Sequence, residues 1–445
     1  MSPKKPDEKE EKIEEAAPVA KKAAPVAKKA APPEKSQTSA RAAMAKAMIQ
    51  KQTGHKPLAR TTSTMPHVST GSVVVDYLIG GSPAKDGKGP VCPGFPRRKL
   101  TEVYGAESSG KTTLCLQAIA DVQRKGGLAM FIDFEHALHH GYAQTLGVSF
   151  NEDKLLLFAP DTMEEGFKMM LIGLMTGVDL IVVDSVAAMV PALELEKGPD
   201  EAAKVGGLAK PMAENLPKFA LWLTKYPMDK DKKADPSKPG TALVFINQTR
   251  ANISTGGGGG GQPQDNTSGG KALKFFAYVR LQLQRIGSEY IEKKDPLTGK
   301  TKRFPYGNQT KVKCVKSKCD AKQGHEVEIF IRYGYGIDNY YSVIQTGQAQ
   351  GVIRKDGSWL TLGTERFQGR DKLRQHLIDN PRMFDDLIKK VNVAVLSTAD
   401  QAIDDDELSE EDQLMAEMAK DMGIEDDDIP TGPVPEVVLP ADATT

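Results

Sequence analysis

Residues Gly105-Ala-Glu-Ser-Ser-Gly-Lys111-Thr112 combine glycines, hydroxyls and one lysine at the spacing of a phosphate-binding loop. The apolar-leaning run Leu100–Tyr104 precedes them and the helix-patterned run Thr113–Arg124 follows, which predicts a strand, a loop and a helix in that order. Glycines let the backbone wrap closely around phosphates, so that amide N–H groups and a helix N-terminus face the anion. Glu107, Ser108 and Ser109 complete the cradle between Gly105 and Gly110, Lys111 adds a point charge, Thr112 offers a hydroxyl to Mg²⁺, and Thr113 follows it on the helix. The segment implies binding of a nucleoside triphosphate. An unrelated loop of the same composition would lack the flanking strand and helix signals.

Two carboxylates extend this chemistry. Asp184 ends the apolar run Val178–Val183, and a carboxylate at the C-terminal edge of a buried strand can hold Mg²⁺ beside the Thr112 hydroxyl. Glu135 closes the neighbouring run Leu128–Phe134 and would reach the same sheet edge, where it is the candidate general base for a water attacking the terminal phosphate. Asp133 and His136 compete with it for that role.

The elements that must position these groups alternate between short apolar runs and helix-length segments. Leu128–Phe134, Val178–Val183 and Thr241–Ile246 read as buried strands, with Glu164–Thr176 among the helices between them. Such alternation predicts an α/β fold with a mainly parallel central sheet over residues 69–340. Two stretches break the pattern. One runs from about 195 to 210; the other holds six consecutive glycines, Gly256–Gly261, and is either functional or disordered. A smaller α+β unit is expected over 341–398, with a hairpin pairing Val352-Ile353 and Trp359–Leu362 across Lys355-Asp356-Gly357, then a helix from Asp371 to Asp379. Residues 37–68 form an N-terminal segment whose helix, Ser39 to about Gln52, carries Met44, Met48 and Ile49 on one face for packing on a partner or on its own domain.

The ends differ from the body. Residues 1–36 repeat Ala-Pro-Val-Ala-Lys-Lys-Ala from Ala17 and again from Ala24, which predicts a disordered basic tether. Residues 399–445 predict an acidic disordered tail, a solvated spacer or a competitor for a basic surface. A formal net charge of zero over 445 residues hides this asymmetry. The first 60 residues hold 14 basic and 7 acidic side chains, whereas 400–445 hold 1 and 16. Residues 271–326 carry 14 basic against 5 acidic side chains, a candidate polyanion-binding surface or a solvated strand face. No run approaches the length of a membrane span, and the charged N-terminus lacks a secretory apolar core, so a soluble cytoplasmic protein is expected. The four cysteines, Cys92, Cys115, Cys314 and Cys319, lack zinc-site spacing and are expected to be reduced.

Taken together, GAESSGKTT, FIDFEHAL, Tyr142-Ala, Leu146-Gly-Val, VDLIVVDSVAAMVP, Phe245-Ile-Asn-Gln248, Gly269-Gly-Lys-Ala-Leu-Lys-Phe275 and Lys311-Val-Lys-Cys-Val-Lys316-Ser-Lys318 follow the order and approximate spacing of bacterial RecA recombinases. Over about residues 65–380 the chain resembles that family. The resemblance implies a RecA-type P-loop ATPase core and an ATP- and Mg²⁺-dependent enzyme. Such a protein forms a helical homo-oligomeric filament on single-stranded DNA, pairs it with homologous duplex DNA and exchanges strands. It also implies Glu135 as catalytic carboxylate, Tyr142 as the adenine-stacking residue and Gln248 as the γ-phosphate sensor, where the plain alternative is a turn residue at a strand end. Lys316 and Lys318 match lysines that reach the neighbouring subunit's ATP, and Phe275 matches an interface aromatic, with core packing as its alternative.

By the same resemblance, about 195–210 and about 250–270 are the first and second DNA-binding loops, with Gly207, Lys210, Arg250, Asn252, Gly269, Gly270 and Lys271 as candidate DNA contacts. Lys274 lies just beyond them. The chain departs from the family pattern at Lys210-Pro211, at the glycine run, and at His139, which stands where an acidic adenine contact is usual. The long variant loops and the N-terminal tether look more like a divergent or phage-encoded member than a typical cellular one. Another RecA-core class, such as a ring helicase or a clock-type ATPase, is the alternative within the fold; a non-enzymatic DNA-binding protein is the alternative outside it.

Overall fold

A computed structural model describes residues 35–53, 64–81, 91–196, 207–228, 238–249, 267–295, 299–319 and 323–397. The tether apart from Lys35 and Ser36, the acidic tail beyond Ser397, most of the first loop, and Arg250, Asn252 and the glycine run of the second lie outside these residues. Helix α1, Lys35–Thr53, forms a unit by itself, with Met44, Met48 and Ile49 exposed on it.

The remainder starts with β1, His67–Val68, helix α2, Val73–Gly80, and β2, Phe95–Pro96, which pairs with β1. There follow β3, Leu100–Gly105; α3, Lys111–Arg124; β4, Ala129–Asp133; α4, His140–Thr145; β5, Leu155–Phe158; α5, Met163–Thr176; and β6, Leu180–Asp184. A 3-10 turn at Val186–Ala188 leads to α6, Ala192–Leu195, α7, Ala209–Lys225, β7, Ala242–Gln248, and α8, Gly270–Phe276. The long strands β8, Val279–Lys294, and β9, Thr301–Ser317, precede β10, Glu326–Arg332, and β11, Gly336–Ile337. The C-terminal part comprises α9, Asn339–Ala349, β12, Arg354–Asp356, β13, Trp359–Leu362, β14, Glu365–Gln368, α10, Arg370–Asp379, and α11, Pro381–Ser397.

The expected strands at 128–134, 178–183 and 241–246 are therefore β4, β6 and β7, each shifted by one or two residues. They join a nine-stranded sheet in the order β11-β10-β9-β8-β3-β7-β6-β4-β5. From β8 to β5 the neighbours are parallel, while β9, β10 and β11 extend the sheet antiparallel. Every residue of β4 and β6 is buried, because helices cover both faces of a parallel sheet. Val103, Phe131, Val182, Val244 and Ile246 face one core with Leu114 and Ile119 of α3; Ile132, Ile181, Val183 and Phe245 face the other with Leu216 and Phe219 of α7. Each fully buried Leu, Ile or Phe contributes about 1.5–3 kcal/mol.

Helix α5 shows how local chemistry sets the element ends. Thr162 Oγ1 accepts from Glu165 N at 3.3 Å, Glu165 Oε2 accepts from Asp161 N at 3.1 Å, and Gly177 closes the helix at φ 79°.

Two sequence expectations are corrected here. The first loop does not reach residue 210: Lys210 and Pro211 belong to the first turn of α7, where a proline lacking its N–H is tolerated. The C-terminal hairpin pairs Arg354–Asp356, not Val352-Ile353, with Trp359–Leu362, and β14 adds a third strand. Ile353 is buried with Val391 and Leu360 in the core instead of joining the strand. All four cysteines are free and buried. Among the described residues no helix is long and apolar enough to cross a membrane.

Candidate active site

Strand register brings the candidate residues to one edge. Gly105 pairs with Gln248, and Asp133 with Asp184, so the C-terminal ends of β3, β7, β6 and β4 lie side by side. In open α/β sheets ligands bind at this edge.

The loop from Gly105 to Gly110 turns sharply into α3, with Ser108 at φ 58° and Gly110 at φ 93°. The backbone conformation at Gly110 favours glycine, and a Cβ there would sit 2.2 Å from Ile331 Cδ1 of β10 and displace that side-chain end. The loop is braced from the same side by Thr310 Oγ1, which donates to Ser109 O at 3.3 Å. Glu107 and Ser108 are exposed at its crest and Ser109 is buried at its base. Lys111 Nζ donates to Gly105 O at 3.1 Å and Ala106 O at 2.7 Å. Burial pushes the Lys111 ammonium below its usual range, while Asp184, Glu135 and Glu107 draw it back up.

Thr112 Oγ1 donates to Asp184 Oδ2 at 2.7 Å, as a shared metal position requires of a hydroxyl and a carboxylate. Burial pushes the Asp184 carboxyl up to about 6; Glu135 and Asp133 add to this, whereas Thr112 and Lys111 oppose it. A hydroxyl and a carboxylate, two hard oxygen donors held 2.7 Å apart, fit Mg²⁺.

The three candidates for the base stand in different surroundings. Asp133 is committed to its own turn, accepting from Glu135 N at 3.2 Å and Leu138 N at 3.0 Å. His136 lies within that turn at φ 52°. Glu135 is exposed, and its Oε1 accepts from Ser185 Oγ at 2.5 Å and from Gln248 Nε2 at 2.9 Å. A cavity of about 420 Å³ opens beside this pair, lined by Phe134, Glu135, Ala187, Ala188, Gln248 and Ser268. It thus joins the Glu135–Gln248 pair to the segments that enter the first loop and leave the second.

Tyr142 stands in the first turn of α4, its hydroxyl 2.7 Å from Thr113 Oγ1. His139 caps that helix, Nδ1 accepting from Tyr142 N at 3.0 Å. The residue that departs from the family pattern therefore orients the tyrosine backbone. Burial pushes the Tyr142 phenol upward, opposed by the bond to Thr113.

The loop ends converge as well. Gly207 leads into α7, and a Cβ at Gly270 would lie 3.1 Å from Ala209 Cβ, so the start of α8 packs on the start of α7. Gly269 caps α8 at φ 88° against Val186. Lys210 and Lys271 are both exposed beside this junction.

Lys316 and Lys318 are not brought to the phosphate-binding loop. Ser317 pairs with Val279, which lies beside Thr101, whereas the loop follows Gly105 beside Leu283. Four residues along a strand, about 13 Å, separate the two edges. Lys316 Nζ donates to Lys274 O at 3.3 Å and Phe275 O at 3.4 Å, and Lys318 is exposed. Phe275 is half-buried and meets Phe276 edge to face.

Family models match almost the whole described chain: the RecA N-terminal domain over residues 41–338 and the RecA C-terminal domain over 341–396. The chain is 40% identical over 334 residues to Protein RecA of Gluconacetobacter polyoxogenes, covering 75% of this chain and 84% of that one. Protein RecA of Cytophaga hutchinsonii is 38% identical over 351 residues, 78% of this chain and 87% of the relative. For Thioalkalivibrio sulfidiphilus the identity is 38% over 345 residues, 77% and 88% of the two chains. The chain belongs to the RecA family. As a RecA protein it acts in homologous recombination and DNA repair, through filaments and strand exchange, and the ring-helicase alternative is set aside. RecA proteins are DNA-dependent ATPases.

One neighbour of the candidate base escapes a reading of the sequence. Ser185 follows Asp184 but acts on Glu135, a contact set by the adjacency of β6 and β4.

Proposed function

We propose that this RecA protein hydrolyses ATP at a site shared between adjacent subunits of a filament on single-stranded DNA, and that DNA controls the hydrolysis through Gln248. The observation that carries this reading is the 2.9 Å bond from Gln248 Nε2 to Glu135 Oε1. Gln248 ends β7 and opens the second loop, so whatever orders that loop also moves a donor on the base.

In this reading the amides of the loop from Gly105 to Gly110 and the N-terminus of α3 hold the phosphates, Lys111 leaves its carbonyl partners for the terminal phosphates, and Tyr142 stacks on adenine. Thr112 and Asp184 would hold Mg²⁺, which would supply charge neutralisation to the phosphates. Glu135 takes the proton of the attacking water, its free lone pairs aimed by Ser185. Gln248 turns from Glu135 to the γ-phosphate, and Lys316 and Lys318 of the next subunit stabilise the transferring phosphoryl group. Gly207, Lys210, Gly269, Gly270 and Lys271, with Arg250 and Asn252, contact the single strand, and a homologous duplex pairs there. Phe275 packs across the subunit boundary.

ATP hydrolysis by the full chain, assayed with Mg²⁺ and with or without single-stranded DNA, tests this directly. At least tenfold stimulation by DNA is expected, on the order seen when a positioning step completes a catalytic site. A rate indifferent to DNA would sink the reading.

A further inference from the structure

A buried ion pair crosses the sheet without a part in the reaction described above. Glu102, in the middle of β3, is fully buried; its Oε2 accepts from Arg280 Nε at 2.6 Å and its Oε1 from Asn247 Nδ2 at 2.9 Å. The Arg280 guanidinium lies 4.6 Å over the Tyr104 ring. A buried carboxylate is costly unless its partners are fixed, so this arrangement holds Asn247 in one orientation.

Asn247 has two further bonds. Its Nδ2 donates to Ser268 O at 2.8 Å, where the second loop rejoins the fold, and its Oδ1 accepts from the backbone N of Gln248 at 2.9 Å. Ser268 also lines the cavity beside Glu135. On the other side of the row, Arg280 pairs in register with Lys316, whose Nζ donates to the last carbonyls of α8. A hydrogen-bonded polar row therefore joins Gln248 and the end of the second loop to Arg280, whose register partner on β9 is Lys316.

We propose that Asn247 is a positioning residue for DNA-stimulated hydrolysis. It fixes the backbone of Gln248 relative to Ser268, so that a loop ordered by DNA sets the Gln248 amide and, through Glu102 and Arg280, the Lys316 end of β9. The proposal rests on the DNA-dependent reading above.

The test compares full-length Asn247→Ser and Asn247→Asp with wild type, each shown to be folded by its melting curve. Serine is too short to span both Glu102 and Ser268, and aspartate replaces the donor with a second carboxylate facing Glu102. Hydrolysis without DNA is expected to stay within about twofold, while stimulation by single-stranded DNA falls at least about tenfold, in kcat and not in KM for ATP. Retained stimulation, or a proportional loss of both rates, would overturn the proposal. If neither variant folds, wild type still answers: adenylyl-imidodiphosphate with Mg²⁺ should slow amide hydrogen exchange over residues 267–276 without DNA, and unchanged exchange there overturns it. Wild type that ignores DNA would instead dismiss the underlying functional reading.

Discussion

Glu135→Gln is expected to retain ATP and DNA binding while lowering hydrolysis at least about 100-fold, the usual contribution of a positioned general base. The substitution preserves size and leaves an oxygen for Ser185, which donates to Glu135 Oε1 at 2.5 Å. It removes the capacity to accept a proton. Nucleotide binding draws on the loop from Gly105 to Gly110 and on α3, elements that Glu135 does not touch. Equilibrium binding of a fluorescent ATP analogue and steady-state hydrolysis with single-stranded DNA separate the two properties. An undiminished rate would remove Glu135 from the chemistry and return the choice to its neighbours, although Asp133 is already occupied by two backbone amides.

Lys316→Ala is expected to lower DNA-stimulated hydrolysis by about 10²- to 10³-fold, the cost typical of losing one preorganised charge at a transferring group. The isolated subunit should bind ATP as before. The reason is geometric: the pairing of Ser317 with Val279 places Lys316 at the sheet edge opposite its own phosphate-binding loop. Its contacts with the carbonyls of Lys274 and Phe275 also complement the C-terminal end of α8. Melting curves control for that local role, since a lost cap lowers the melting temperature without a selective effect on DNA stimulation. Weaker ATP binding by the isolated Lys316→Ala subunit would place the lysine in its own site and contradict the shared arrangement.

Much of the sheet was legible because strands buried on both faces are apolar throughout, and β4, β6 and β7 stand out as such runs. Asp184 directly follows one of those runs and ends β6, whereas Gln248 ends β7 two residues beyond the run Thr241–Ile246. The bonds between side chains were not legible, since Ser185, Glu135 and Gln248 belong to three strands whose lateral order is β7-β6-β4. Nor did LTEVYG mark Glu102 as buried: a lone glutamate in a strand usually faces water, and only the approach of Arg280 on β8 makes burial tolerable. His139 read as a departure at the adenine site, and its cap on α4 emerged only from the backbone conformation. The proline at 211 looked like loop chemistry, yet a first-turn proline equally starts a helix. Ile353 went to the core because α9 and α11 flank it, information absent from the spacing of a hairpin.

The shared site is tested most directly by mixing Glu135→Gln with Lys316→Ala subunits on single-stranded DNA and measuring ATP hydrolysis. Each variant alone lacks one half of every site. In a mixed filament with random order, about one quarter of the head-to-tail junctions regain both an intact Glu135 and an intact Lys316. Hydrolysis by the equimolar mixture should therefore rise to about a quarter of the wild-type rate at the same total protein concentration. A mixture no faster than the mean of its two components would contradict the claim that adjacent RecA subunits complete each other's sites.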